Sequence, residues 1–347
     1  MNTVVSFFAG AGGLDIGLKQ AGFDIKLAVE LEELYCETLR LNNHENVRQG
    51  DIMEYTKGKI FEDSGLESID LMVGGSPCQS FSTAGKRKAF DSPGGQAMLK
   101  YADLVVETKP KAFLLENVRG LLSAKKSPED KNGSALEYLL SCFPGYEITY
   151  KLLNAADYGV PQKRERVFFV GIRKDLNKTF EFPKETHSQK GKDDKKPWVT
   201  VGDIFKGLEG VEHHHTNYSD ERLKFMKMIP VGGGNWRDLR KYGEEVVKEA
   251  MGGAYESGGG KVGYFRRLHI DRPSPTVLTS PIQKSTNLGH PFEDRPLSIE
   301  EYLAIQEFPK GYKVAGKLND QYIQIGNAVP IRLAKVLGKA IFETLKA

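Results

Sequence analysis

Cysteine is scarce in this chain: three in 347 residues, Cys36, Cys78 and Cys142, with no two spaced as C-x-x-C. That excludes a disulfide-stapled scaffold and a thiolate zinc site, and it points to reduced thiols in a cytoplasmic setting without a bound metal. No stretch approaches the about 18 uninterrupted apolar residues that span a bilayer, so no membrane association is expected. The opening "MNTVVSFFAGAGG" is apolar but has no basic leader, and it reads as a first strand rather than a secretory signal. Strong charge of either sign is missing too. The 49 Lys plus Arg and 46 Asp plus Glu leave +3, which permits a polyanionic partner without demanding one. Internal repeats and low-complexity tracts are also lacking.

What is present is an ordinary globular composition, 39% hydrophobic and 27% charged, at a length that suits two domains. Up to about residue 180, short apolar runs ("TVVSFF", "IKLAV", "IDLMVGG", "KAFLLEN", "RVFFVGI") alternate with stretches of helical pattern such as "LEELYCETLRLN". Continuous apolar strands alternating with helices indicate a parallel sheet covered on both faces, an α/β fold. From Pro183 to Ile270 the alternation fades. That stretch carries most of the seven histidines, the glycine runs 232–234 and 258–260, and a nearly balanced charge. It reads as a smaller irregular domain with long loops, the kind that carry recognition. Regular patterning returns with "LSIEEYLAIQEF" and the closing "PIRLAKVLGKAIFETLKA".

The residues with chemistry in them cluster at strand ends. Gly10, Gly12 and Gly13 follow the first strand and allow a tight turn with close backbone approach to a ligand. Asp15 stands where the third glycine of a dinucleotide fingerprint would be. Glu30 closes the second strand, placed to accept hydrogen bonds from ribose hydroxyls, and Asp51 follows a third, short one. Cys78 lies just past "DLMVGG", and Pro77 before it stiffens the thiol's position. Cys36 and Cys142 read instead as inert packing residues. Glu116 ends "KAFLLE", where partial desolvation raises a carboxyl pKa. In "QKRERVFFVG", an extended backbone would put Arg164 and Arg166 on one face and Lys163 and Glu165 on the other. In an open α/β sheet the carboxyl ends of the strands form the rim at which ligands bind.

A thiol beside a protonated carboxyl suits one reaction well. C5 of cytosine becomes nucleophilic once a thiolate adds at C6, and a carboxyl at N3 neutralises the charge that develops there. The thiolate must reach a ring face that is stacked inside a duplex, so the base has to be flipped out.

These residues resemble the cytosine-5 DNA methyltransferase family, of the prokaryotic modification type, over nearly the whole chain. "FAGAGG" is similar to its S-adenosylmethionine loop, "GGSPCQSFS" to its nucleophile loop and "ENV" to its carboxylate motif. "QKRERVFFVG" resembles its arginine-bearing strand, "RPSPTV" (272–277) a segment beside its recognition region, and "QIGNAVP" (324–330) its closing motif, all in the family's order. The resemblance implies a Rossmann-like S-adenosylmethionine-dependent methyltransferase sheet at 1–178, completed by 320–347. A smaller, irregular target-recognition domain would occupy 179–319. It implies methyl transfer from S-adenosyl-L-methionine, leaving S-adenosyl-L-homocysteine, to cytosine C5 in a specific sequence of double-stranded DNA. Cys78 would be the nucleophile and Glu116 the group at N3, with Arg164 and Arg166 holding the flipped base and its phosphate. Phe8, Ala9, Gly10, Gly12, Gly13, Leu14, Glu30, Asp51, Ile52, Pro77, Asn327 and Val329 would line the cofactor pocket. DNA contacts fall to Gln79, Ser82, Asn235, Trp236, Arg237, Arg266 and Arg267. The enzyme would act as a monomer, with any cognate restriction endonuclease acting separately.

Three departures stand out. Ser76 occupies a position often held by phenylalanine or proline, Leu31 one where an aromatic is common, and "DSPGGQAML" (91–99) replaces the usual D-x-R-G-x-L. Other readings are the same chemistry on transfer RNA, a non-catalytic DNA-binding relative and a nicotinamide oxidoreductase. The first lacks its C-F-T signature, the second has no use for Cys78, Glu116 and Arg164, and the third is opposed by Asp15 and Cys78.

Overall fold

The computed structural model describes residues 2–77, 89–257 and 261–346. The chain begins β1 (Asn2–Phe7), α1 (Gly13–Gln20), β2 (Phe23–Glu30), α2 (Glu33–Leu41), β3 (Val47–Gln49), α3 (Lys57–Ser64), β4 (Leu71–Gly75). It continues with α4 (Pro93–Thr108), β5 (Ala112–Val118), α5 (Ser134–Ser141), β6 (Tyr146–Asn154), the two-residue β7 (Gln162–Lys163) and β8 (Glu165–Arg173). Helices α6 (Val201–Phe205), α7 (Asp220–Met226), α8 (Glu244–Met251), α9 (Ile299–Ile305), α10 (Leu318–Asn327) and α11 (Ile331–Lys346) follow. The chain divides into two compact units. The first holds Met1–Tyr158, Arg164–Glu185 and Val329–Ala347, the second Gly159–Lys163 and Thr186–Ala328. The sequence-based boundaries stood at 178/179 and 319/320.

The first unit is built on a seven-stranded sheet in the order β3-β2-β1-β4-β5-β8-β6. Its first five strands run parallel, as expected for the apolar runs at β1, β2, β4 and β5. The expectation of a wholly parallel sheet needs correction, because β8 runs antiparallel to both β5 and β6. The start of β8 therefore meets the end of β5: Arg166 stands opposite Val118, and Phe168 opposite Glu116. Burial alternates from Lys163 to Arg166 as the extended reading required, with Arg164 buried while Lys163 and Glu165 are exposed.

On one face, Val5, Phe7, Met72, Phe113 and Leu115 pack with Ile60 of α3 and with Met98, Tyr101 and Val105 of α4. Each such side chain contributes on the order of 2 kcal/mol by leaving water. Tyr101 is fully buried, and its hydroxyl donates to the carbonyls of Met72 (3.0 Å) and Leu114 (3.2 Å), joining β4 to β5. Ser6, between Val5 and Phe7, points the other way and reaches Asp15 of α1.

Helix α11 lies against α1 at van der Waals contact because glycines stand at the crossing. A methyl group on Gly17 would sit 2.4 Å from Ala334 Cβ, 2.6 Å from the Ile331 carbonyl and 2.7 Å from the Lys335 nitrogen. Two of those obstacles are backbone and cannot swing aside. Gly17→Ala should therefore destabilise the protein by about 2 kcal/mol, the upper range of overpacking less the roughly 1 kcal/mol that alanine gains in a helix. A Cβ on Gly58 of α3 would meet nothing closer than Thr56 Oγ1 at 3.9 Å, so Gly58→Ala should be neutral or stabilising. Urea unfolding of both variants checks the opposite signs.

Candidate active site

The carboxyl ends of β1 and β4 lie side by side, with Phe7 paired to Gly74. After β1 the backbone turns through positive φ at Phe8 (56°), Gly10 (54°) and Gly12 (80°). A phenylalanine held there is strained, a cost that structures tolerate mainly at functional sites. Gly12 needs its missing side chain on the inner side, where a Cβ would lie 2.8 Å from Leu39 and 3.0 Å from His44. Gly10 is different. A Cβ there would meet only the Phe8 carbonyl, at 4.0 Å, so the crown of the loop faces open space. Ala9 and Leu14 are buried beneath it, and Gly13 begins α1.

Glu30 braces this loop. Its Oε2 accepts from the Gly10 amide at 2.8 Å, and Oε1 accepts from the amides of Leu31 (2.8 Å) and Glu32 (3.1 Å). The sequence pointed to ribose hydroxyls for this carboxylate, whereas its first duty is to the backbone. A carboxylate has about four acceptor sites, which leaves one for a ligand. Burial raises its pKa against the pull of those three amides. Asp51 caps the short 3-10 turn Ile52–Glu54 by accepting from the Met53 amide at 2.9 Å, and Ile52 is buried beside it.

The β4 and β5 ends hold the second group. Gly75 is the register partner of Glu116, and a Cβ on Gly75 would stand 3.4 Å from Glu116 Oε2. Glu116 Oε1 pairs with Arg166 Nε at 2.9 Å, with both side chains largely buried. Burial pushes the Glu116 carboxyl above its ordinary value, outweighing the downward pull of the Arg166 and Arg164 guanidiniums. Arg164 is only 2% exposed, and its carbonyl accepts from the Ala155 amide. Glu165, on the opposite side of β8, forms a surface pair with Arg119.

The sequence reading gave no task to Asn117, yet it ties this rim together. It is fully buried, and its Nδ2 donates to Ser76 Oγ at 3.0 Å. That fixes the chain two residues before Cys78. The short side chain of Ser76 allows the bond, which a phenylalanine or proline at that position could not make. Pro77 is exposed. Cys78, Gln79 and Ser82 lie outside the described residues. The other two thiols are held in the protonated form: Cys36 Sγ is buried against the Glu30 carbonyl (3.6 Å) with its pKa pushed up to about 11. Cys142 bonds the Tyr138 carbonyl (3.3 Å) and is raised too.

The remaining sequence candidates are spread over both units. Val329 is buried in the first, and Asn327 ends α10 in the second. Asn235 caps the 3-10 turn Trp236–Tyr242, and Arg237 is exposed. Trp236 and Arg267 cannot be surface contacts, because both are buried. Trp236 packs with Phe225, Leu239 and Phe265 in the core of the second unit. Arg267 is 1% exposed and spends its guanidinium on the carbonyls of Met226, Ile229, His290 and Glu293 and on the Asp294 carboxylate. Arg266, half-buried, donates from Nε to the Asn287 carbonyl at 3.0 Å. No cluster of metal-ligating side chains occurs among the described residues, and no helix among them is long and apolar enough to cross a membrane.

Residues 2–343 match the family model described as C-5 cytosine-specific DNA methylase. The type II methyltransferase M.Sau96I of Staphylococcus aureus is 42% identical over 351 residues, covering 99% of this chain and 76% of the relative. M.PspPI of Psychrobacter sp. strain TA137 is 38% identical over 358 residues, covering 99% and 80%. Among solved structures, the Entamoeba histolytica methyltransferase EhMeth superposes with a TM-score of 0.68 at 14% identity, covering 100% of this chain and 99% of that one, a likeness of fold.

One buried group behind the glycine loop sets a pH dependence. Asp15 in α1 is inaccessible to solvent and accepts from Ser6 Oγ at 2.6 Å, while its Oδ2 has no hydrogen-bond partner among the described residues. Burial raises its pKa to about 6. A carboxyl raised on folding favours the fold fully below its unfolded pKa, near 4, and loses that contribution as pH rises through 6. Asp15→Asn should therefore gain about 3 kcal/mol relative to the native protein between pH 4 and pH 8, at roughly 1.4 kcal/mol per unit. Denaturant unfolding of the two proteins across that range tests it.

Proposed function

The chain belongs to the C-5 cytosine-specific DNA methylase family and is a DNA (cytosine-5)-methyltransferase of the type II restriction-modification kind. From that premise we propose that Cys78 is its nucleophile, that Glu116 acts at N3 of a flipped cytosine, and that S-adenosylmethionine is the methyl donor. The observation that supports the reading is the buried Glu116 carboxyl, raised in pKa and held by Arg166 at the rim where the Asn117–Ser76 bond holds the chain leaving β4.

In this reading the Cys78 thiolate adds to C6 of the cytosine. The electron pair displaced from the C5–C6 double bond is drawn toward N3, where the Glu116 proton meets it. Arg166 keeps the carboxyl oriented, and it stabilises the carboxylate that remains once the proton has moved. C5, now enamine-like, takes the methyl group. Solvent takes the C5 proton as the thiolate leaves C6, and N3 returns its proton to the Glu116 carboxylate, so the aromatic ring, the free cysteine and the protonated carboxyl are all restored.

The residues present fit the methyl donor. The open crown at Gly10 admits close approach, and Glu30 keeps an acceptor site for a ribose hydroxyl. Phe8, Asp51, Ile52 and Val329 would complete that pocket, together with Pro77. When bound, the donor supplies an electrophilic methyl on sulfonium. Residues of the second unit, 159–163 and 186–328, would read the flanking sequence, since the strand ends of the first are committed to cofactor and base.

Incubation with duplex DNA carrying 5-fluorocytosine and with the cofactor should trap a covalent complex, because fluorine blocks the final elimination. Cys36→Ser and Cys142→Ser should still form it, and Cys78→Ser should not. A trapped adduct with Cys78→Ser would refute the nucleophile assignment. Glu116→Gln should slow single-turnover methyl transfer by about 100-fold or more while DNA binding changes little, since an amide donates a hydrogen bond but no proton. Native rates in that variant would leave Glu116 with a structural task alone.

A further inference from the structure

Reading a base edge requires polar side chains on a backbone that does not have to be ordered when DNA binds. One loop of the second unit, residues 281–288, meets both conditions. Its base is closed by the Leu288 amide on the Pro281 carbonyl at 2.9 Å. Inside, Thr286 donates to the Gln283 side chain (3.2 Å) and to its carbonyl (3.1 Å, from the amide). Asn287, fully buried, donates to the Arg266 carbonyl at 2.9 Å and accepts from Arg266 Nε on its own carbonyl. Thr286 also bridges to Gly263, where a side chain has no room: a Cβ would lie 2.0 Å from the Ser285 carbonyl.

The clamp on this loop is Arg222 of α7. One Nη donates to the Ile282 carbonyl and the other to Asn287 Oδ1 at 2.8 Å, so a single guanidinium holds both flanks. The same group lies over the rings of Tyr218 (5.2 Å) and Phe265 (5.7 Å). Its planar fork does what a lysine's point charge could not. Gln283 and Lys284 stand exposed at the tip of the clamped loop, and no carboxylate among the described residues pairs with Lys284.

We propose that Lys284 and Gln283 read base edges beside the target cytosine and that Arg222 is the positioning residue that presents them. Lys284 offers only donors, which suits the paired acceptors O6 and N7 of guanine in the major groove. This inference rests on the reading that the second unit recognises sequence, and it replaces Trp236 and Arg267 as candidates by an exposed, braced tip.

The test maps methylation on a random duplex library. Lys284→Ala should keep methyl transfer but lose discrimination at one guanine position by about tenfold or more. Arg222→Lys should relax the same position, with cofactor binding close to native and thermal unfolding lowered, because buried Asn287 loses its donor. If Lys284→Ala instead weakens all sequences alike and flattens the salt dependence, the lysine contacts phosphate and the proposal is wrong. Unchanged discrimination also overturns it. Exchange of residues 186–328 for those of a relative with another target separates the two levels. An active chimera that keeps the original site would sink the underlying division of labour, whereas one that changes site while Lys284→Ala does not would sink the loop alone.

Discussion

The site depends on one reversal of chain direction. In a wholly parallel sheet the start of β8 would lie at the opposite edge from the end of β5, and Arg166 would be remote from Glu116. Antiparallel pairing puts Arg166 opposite Val118, and a 2.9 Å ion pair follows. A buried carboxylate without a partner costs several kcal/mol, so the pairing is also what allows Glu116 to be desolvated at all. Desolvation still wins, and the carboxyl keeps its proton more firmly than a free glutamate would.

Around that pair the rim is assembled by small residues and backbone amides. Gly75 leaves Glu116 room, and Gly74 lets the rings of Tyr101 and Phe8 come close to the β4 backbone, at 2.9 Å and 3.4 Å from where a Cβ would be. Glu30 holds the glycine loop by the Gly10 amide, and Asn117 holds the chain that leaves β4 by Ser76. Each contact joins the end of one strand to the loop of a neighbour. The chemical groups are thus positioned by the sheet register rather than by the loops' own preferences, which suits a site that must be preorganised.

Much of this was legible in the sequence because apolar strand runs and glycine turns are local signals. Five runs marked β1, β2, β4, β5 and β8, and their polar termini marked the rim. Strand β6 escaped notice because it lies at the sheet edge: "YEITYKLLN" carries Glu147 and Lys151 on exposed positions and has no continuous apolar run. The direction of β8 was not legible either, since an apolar strand reads alike in both directions. Arg267 and Trp236 looked like DNA contacts because residue type does not reveal whether a guanidinium faces solvent or five acceptors of its own fold. Asn117 and Arg222 carry no local signature at all, as their partners lie 41 and about 60 residues away.

The central claim is that burial outweighs two guanidiniums at Glu116. It is tested most directly by following the Glu116 side-chain carboxyl by carbon-13 NMR across pH, in protein labelled at glutamate, with the Glu116→Gln spectrum identifying the signal. A midpoint above the ordinary value of 4.5 is the predicted result. A midpoint at or below it would mean that the ion pair with Arg166 dominates, and Glu116 would then be a poor proton donor to N3.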